Sequence, residues 1–300
     1  MTDAAAEAKR RRATLIGGTA VLMWGALALL TTWTGAVPPF QLVAMAFSIA
    51  FVLTVATWLF RGVDPRSFLR HPAKVWLLGI GGLFGFHFFY FLALKNAPPV
   101  EAGLIAYLWP LLIVVFSALL PGEHLTWRHV AGAVAGLTGT ILLVTGGGAV
   151  HFQSIYVLGY AAAAACALTW TAYSILSRKF GDVPTGTVGW FCAASAALGM
   201  ICHLIFEETI WPDGGLAWLA VFGLGLGPVG AAFFTWDIGV KRGDIKVLGA
   251  LSYAAPLIST LLLIAFGKGE PTWIVAAACL LIVGGAVLAS LDMLRRRTAT

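Results

Sequence analysis

Charge is what this sequence has least of. Only 11% of its 300 residues are Asp, Glu, Lys or Arg, against roughly a quarter in soluble domains, and that excludes a water-solvated globular surface. Cysteine is scarce too: Cys166, Cys192, Cys202 and Cys279 all fall in apolar runs without a C-x-x-C pair, so a disulfide framework and a thiolate zinc site are excluded and packing remains. Also missing are G-x-x-x-x-G-K-[ST], H-E-x-x-H and an intramembrane aspartate pair. Nucleotide hydrolysis and membrane-embedded catalysis therefore have no support, the chain is not expected to be an enzyme, and no cofactor or metal is implied.

What is present is apolar: 60% of residues are hydrophobic and mean hydropathy is +0.90. A spanning helix needs about 20 apolar residues, and the runs predict spans at 14–34, 39–60, 75–94, 101–121, 129–147, 155–176, 185–206, 217–238, 247–267 and 272–293. Lys9-Arg10-Arg11-Arg12 precedes a run of full spanning length, which reads as an uncleaved first span and not a signal peptide. The basic excess, 19 against 13, marks orientation and not nucleic-acid binding. With the N-terminus cytoplasmic, all 19 basic residues except Lys95 and Lys268 lie on the inner side, as the positive-inside rule requires. The expectation is an all-α protein of the inner membrane with ten spans. Both termini are cytoplasmic, with basic segments at 1–13 and 294–300, and the lipid bilayer is its main partner.

The second half repeats the first at an offset of 146 residues. Trp24 matches Trp170, Gly79 and Gly81 match Gly225 and Gly227, Phe88 matches Phe234 and Lys95 matches Lys241. Gly103, Tyr107, Pro110 and Leu111 match Gly249, Tyr253, Pro256 and Leu257. Chance aligns Gly and Leu in such a chain; it does not align Trp, Tyr, Pro and Lys at one offset. The units, 14–147 and 155–293, each hold an odd number of spans, so they must enter the membrane with opposite orientation. Inverted repeats of this kind build alternating-access transporters that hold substrate near the bilayer midplane.

Each unit carries an apolar helix with a mid-span proline followed by a turn with an acidic residue. They are Gly103-Leu104-Ile105-Ala106-Tyr107-Leu108-Trp109-Pro110 with Glu123, and Gly249-Ala250-Leu251-Ser252-Tyr253-Ala254-Ala255-Pro256 with Glu270. In this the whole chain resembles the drug/metabolite transporter superfamily, in its ten-helix EamA-like branch. Tyr107-Leu108-Trp109-Pro110 is similar to the YddG-type exporters of aromatic amino acids and of the aromatic dication methyl viologen. The resemblance implies export of a small molecule. Glu270 departs from the pattern, at offset 147 from Glu123.

Within the spans, His87, Tyr90 and Tyr107 fall at similar depth, roughly 6–11 Å below the outer end at 1.5 Å per residue. His87 and Tyr90 share a helix face, and Pro110 frees the carbonyl of Ala106 and kinks the turn carrying Tyr107 and Trp109. The predicted substrate site is His87, Tyr90, Tyr107 and Trp109, joined by Trp24, Trp170 and Tyr253. For Trp24 and Trp170 core packing stands as the alternative. A deep ionisable histidine needs a partner or water. Pro110 and Pro256 are predicted hinges. Asp237 and Lys241 are four apart at the inner end of their span and read either as an anchoring ion pair or as an inner gate or proton-coupling site. Trp58, Trp76, Trp211, Trp218 and Trp273 are predicted interfacial belt residues, and the small-xxx-small steps 81/85, 132/136 and 223/227 predict close helix contacts. His124 and His129 match no metal spacing. Because deep Lys or Arg is missing, polyanionic substrates are disfavoured. Aromatic rings with histidine and tyrosine suit neutral, above all aromatic, amino acids and aromatic cations; the alternatives are a carrier of another small metabolite and, behind it, a membrane-embedded enzyme.

Overall fold

The structure is a computed structural model that describes residues 3–295, with side chains over 5–291. Ten helices have the length and composition to cross a membrane. They are α1 (Ala5–Trp33), α2 (Pro39–Phe60), α3 (Ala73–Asn96), α4 (Pro99–Leu119), α5 (Trp127–Thr145), α6 (Ser154–Phe180), α7 (Thr185–Phe206), α8 (Gly214–Arg242), α9 (Ile245–Ala265) and α10 (Trp273–Leu291). The helical backbone begins at Asp3, so the described part of the 1–13 segment is continuous with α1. Its Ala, Glu, Lys and Arg are strong helix formers and simply extend α1. Arg296 and Arg297 lie outside the described residues.

The two units interlock. Helix α1 packs on α8, α3 on α6, α2 on α7 and α5 on α10. Every pair takes one helix from each unit, and the five-helix shift turns the first pair into the second. This is an all-α membrane fold of two inverted five-helix repeats. The mouth at which α1 begins and α10 ends is called proximal below, and the opposite one distal.

The irregularities repeat as well. A π-helical turn interrupts α3 at Gly81–Gly85 and another interrupts α8 at Gly227–Ala231, at the same 146 offset. The extra residue in each turn rotates the glycine face. A Cβ on Gly81 or Gly227 would meet nothing, whereas Gly82 abuts Tyr173 and Gly225 abuts Ile49. Those two predicted small-residue steps are therefore displaced, while Gly132 and Gly136 do make close contacts, with Gly285 and Tyr253.

Just ahead of Pro110 and Pro256 the regular α-helical bonding of the spans is interrupted by a tighter turn. In α4 the segments Pro99–Ala106 and Trp109–Phe116 flank the turn at Tyr107-Leu108, and in α9 Ile245–Leu251 and Ala254–Ala265 flank Ser252-Tyr253. An interruption frees backbone donors that lipid cannot satisfy. The Leu111 N–H finds its acceptor across the repeat boundary, in the Tyr253 hydroxyl at 3.1 Å.

The α5–α10 contact sets a limit on side-chain size. A Cβ on Gly132 would sit 2.5 Å from the Gly285 carbonyl oxygen, a backbone atom that moves only with its helix. Gly132→Ala should thus push α5 and α10 apart and lower stability by about 1–3 kcal/mol, whereas Gly284→Ala, facing open space, should be neutral. Thermal unfolding of the detergent-purified proteins checks this; equal melting temperatures would contradict the packing.

Candidate functional site

Four tryptophans from four helices converge between the repeats. Trp24 of α1 lies 6.1 Å from Trp109 of α4, 5.6 Å from Trp170 of α6 and 5.1 Å from Trp236 of α8, centroid to centroid. Trp109, Trp170 and Trp236 lie 5.9–6.3 Å from one another. These are edge-to-face and offset-stacked separations, with no room for another ring between. Phe233 joins at 5.6 Å from Trp170 and stacks on Phe47 at 5.7 Å. Trp109, Trp170 and Trp236 are buried, while Trp24, His87, Tyr90 and Tyr107 are only part-buried. Below, the buried indoles are called the floor and the part-buried groups near it the rim.

The π-helical turns orient two rim residues. The imidazole Nδ1 of His87 lies 2.7 Å from the Leu83 carbonyl oxygen. That contact requires a proton on Nδ1, so the neutral ring keeps its lone pair on Nε2. Nε2 has no hydrogen-bond partner among the described residues. The Trp24 indole N–H donates to the Pro228 carbonyl at 3.1 Å, inside the second π-helical turn, where Pro228 itself lacks a donor. The Trp236 indole N–H donates to Ser174 Oγ at 3.0 Å. Tyr90 stacks on Phe86 at 6.1 Å, and Phe86 lies 5.7 Å from Trp170. Tyr107 lies at the turn within α4 and is part-buried.

Of the predicted site residues, the structure brings together Trp24, Trp109 and Trp170, with His87 and Tyr90 linked to them through Phe86 and Phe233. Tyr253 is not among them. It is fully buried in a separate core with Val114, Leu257 and Ile282, held there by its bond to Leu111. Trp58 also departs from expectation, being 5% exposed and stacked on Phe68 at 5.1 Å, because the helix-ending segment Pro65–Phe68 folds back over it. Trp211, Trp218 and Trp273 are exposed.

Asp237 and Lys241, both buried, pair at 2.9 Å. Thr185 donates to the carboxylate at 2.7 Å and Lys241 to the Val183 carbonyl at 2.9 Å. The pair lines a small cavity with Tyr173, Ser177 and Phe180. Tyr173 stacks on Trp170 at 5.1 Å, so the cavity adjoins the tryptophan floor.

A larger ion cluster lies at the proximal mouth. Glu123, 9% exposed, accepts hydrogen bonds from Arg178 at 2.7 Å, from Arg10 at 3.1 Å and from Lys246. Arg10 also reaches Asp244 at 3.0 Å, and Arg178 donates to the carbonyls of Val240 and Gly243. Burial alone would raise the Glu123 pKa, but the Lys246 hydrogen bond and the charges of Arg10, Lys246 and Arg178 outweigh it and hold the carboxyl below its ordinary value.

The model of the EamA-like transporter family matches twice, over residues 12–145 and 154–291. The chain belongs to the EamA-like transporter family. Each matched segment covers five of the ten helices. Among curated relatives it is 59% identical to the aromatic amino acid exporter YddG of Ancylobacter novellus, covering 94% of this chain and 98% of that protein. It is 26% identical to the aromatic amino acid exporter YddG of Escherichia coli, covering 93% and 97%. A solved crystal structure, 58% identical, superposes with a TM-score of 0.89 over 95% of this chain and 99% of the other.

Residue-type reasoning on this EamA-like chain missed Trp236, Phe233 and the Glu123 cluster. A signal for the first two was present, since the 146 offset carries Tyr90 to Trp236 and His87 to Phe233. The partners of Glu123 lie 55 to 123 residues away in the chain, and spacing does not reveal such contacts.

Glu123 also makes stability depend on pH. Its folded-state pKa is lowered, so its contribution is complete above the ordinary value of 4.5 and is lost as pH falls through the lower folded value. Truncating one partner of a buried ion pair costs roughly 2–5 kcal/mol. Glu123→Gln should therefore melt earlier than the parent by a constant margin at neutral pH, and the margin should narrow below pH 4.5. A margin independent of pH throughout the acid range would show that the ionised carboxylate is not what stabilises.

Proposed function

We propose that this EamA-like transporter exports neutral, above all aromatic, amino acids across the inner membrane by alternating access, with its termini and proximal mouth in the cytoplasm. The observation that carries the reading is the indole floor with its polar rim. A flat side chain can stack on Trp24 and the floor, while His87 Nε2 accepts from the ammonium group and the Tyr90 and Tyr107 hydroxyls donate to the carboxylate. The names of the 59% and 26% identical relatives supply the substrate class and direction, and the basic residues gathered at the proximal mouth support the orientation. Aromatic cations would use the same rings through cation–π contact and should compete.

In this reading the units 14–147 and 155–293 move against each other about the breaks at Pro110 and Pro256, which act as hinges. Tyr253 serves the hinge of the other repeat and not the substrate. Asp237 and Lys241 are the inner gate or coupling pair, because protonating Asp237 would release both Lys241 and Thr185.

Counterflow of labelled phenylalanine in proteoliposomes tests the site. Each ring contact is worth about 0.5–2 kcal/mol, so Trp24→Ala, Trp109→Ala and Tyr107→Ala should each weaken affinity roughly two- to thirty-fold while remaining monodisperse. His87→Ala should do likewise, and Trp218→Ala on the exposed surface should be normal. Wild-type affinity in the rim and floor variants would remove the assignment.

Asp237→Asn separates coupling from anchoring. Coupling predicts that the response of transport to an imposed pH gradient disappears. A response of normal size together with a lower melting temperature would assign the pair to anchoring alone.

A further inference from the structure

The helices that carry the tryptophans also carry the proximal ion cluster. Arg178 follows Trp170 by eight residues in α6, and Asp244 follows Trp236 by eight, just past α8. That is about 12 Å of helix rise, which places these charges one level below the floor. The other two follow the same scheme: Arg10 lies below Trp24 at the start of α1, and Glu123 lies below Trp109 past the end of α4. The side chains at these four ends are bonded to one another.

The links cross the repeat boundary. Glu123 belongs to the first unit and binds Arg178 and Lys246 of the second; Arg10 of the first binds Asp244 of the second. Among the described residues no ion pair crosses the repeat boundary at the distal mouth. Shifting by 146 carries Arg10 to Tyr156, Arg178 to Thr32, Asp244 to Pro98, Lys246 to Val100 and Glu123 to Gly269, none of them charged. Glu270, one residue on, is exposed and makes no hydrogen bond or ion pair among the described residues. The distal ion pair, His203 with Glu207, lies within and just past α7. Glu207 also accepts from the backbone N–H groups of Phe40 and Gln41 at 2.9 and 3.1 Å, and Tyr160 donates to Glu101 at 2.9 Å, so these distal links between the repeats carry a single charge where the proximal ones carry two. The hinge bond has the same bias. Tyr253 caps Leu111 of the first repeat, but its mate Tyr107 makes no such bond to Leu257.

We propose that Glu123 is a positioning residue of the transport cycle: it is the hub of a charge lock that closes the proximal mouth, and the lack of a distal ion pair between the repeats makes the proximally closed state the resting one. The proposal rests on the alternating-access reading but not on the substrate. Breaking the hub removes the links of Glu123 to Arg10, Arg178 and Lys246 and leaves only Arg10 with Asp244, while the distal mouth is unchanged, so the resting population shifts toward proximal opening.

Nitroxides at His124 and Lys179, both exposed on opposite repeats at the proximal mouth, report the state by double electron–electron resonance without substrate, in a Cys202→Ala, Cys279→Ala background. The parent should give a single narrow distance. Glu123→Gln should add a longer-distance population, raising it at least five-fold, whereas Glu123→Asp, which keeps the charge, should hold most molecules at the short distance. If Glu123→Gln does not fold, Arg10→Gln, altering a side chain one-third exposed, carries the same expectation with a smaller shift. A lower melting temperature with an unchanged distance distribution would mean that the cluster holds only the fold, and would overturn the lock. A long-distance population as large in Glu123→Asp as in Glu123→Gln would overturn charge pairing as its cause. A failure of phenylalanine counterflow would leave these distances as they are and bear only on the substrate.

Discussion

Lipid offers no hydrogen bonds, and every irregular stretch of this backbone has to find its partners inside the protein. Five helices could cross and recross the membrane without a break, yet α3, α4, α8 and α9 are each interrupted mid-span. At three of these interruptions a side chain meets a backbone group of the irregular turn: His87 on Leu83, Trp24 on Pro228 and Tyr253 on Leu111. Two of the three partners belong to the opposite repeat. Satisfying the backbone thus positions the site, because the bond that quiets a free carbonyl also fixes the orientation of an imidazole or an indole.

Duplication explains the architecture and also shows where the two copies have diverged. The π-helical turns, the proline breaks and the pair Trp24 and Trp170 keep the symmetry. The charges do not. Asp237 has Phe91 as its repeat mate, and the members of the proximal cluster have Tyr, Thr, Pro, Val and Gly. A symmetric scaffold supplies two related conformations, and asymmetric side chains decide which lies lower.

Much of this was legible in the sequence. The ten spans follow from hydropathy and basic-residue placement, the inverted repeat from one offset, and the Trp24–Trp170 meeting from their matched depth. Tyr253 misled because matched sequence positions were read as matched environments, whereas a transporter caught facing one way places its two repeats in different conformations. Trp58 misled because belt assignment uses depth alone, and a short segment that folds back can bury a residue at any depth. The Glu123 cluster stayed hidden for a different reason. An acidic residue in a turn between spans resembles a solvated loop charge until the fold brings Arg10, Arg178 and Lys246 to it.

An ion cluster suits a mouth that must open better than an apolar plug would. Buried ion pairs contribute little net stability, since the cost of removing charges from water nearly matches their attraction. An apolar closure of similar size would lose about 25 cal/mol for every Å² it exposed on opening, with nothing to offset that loss. When Glu123 separates from its partners, water replaces their hydrogen bonds and restores the hydration that burial removed. The closed geometry is then specific, because the bonds form in one arrangement, while the free-energy gap between closed and open states remains small enough for substrate binding to invert.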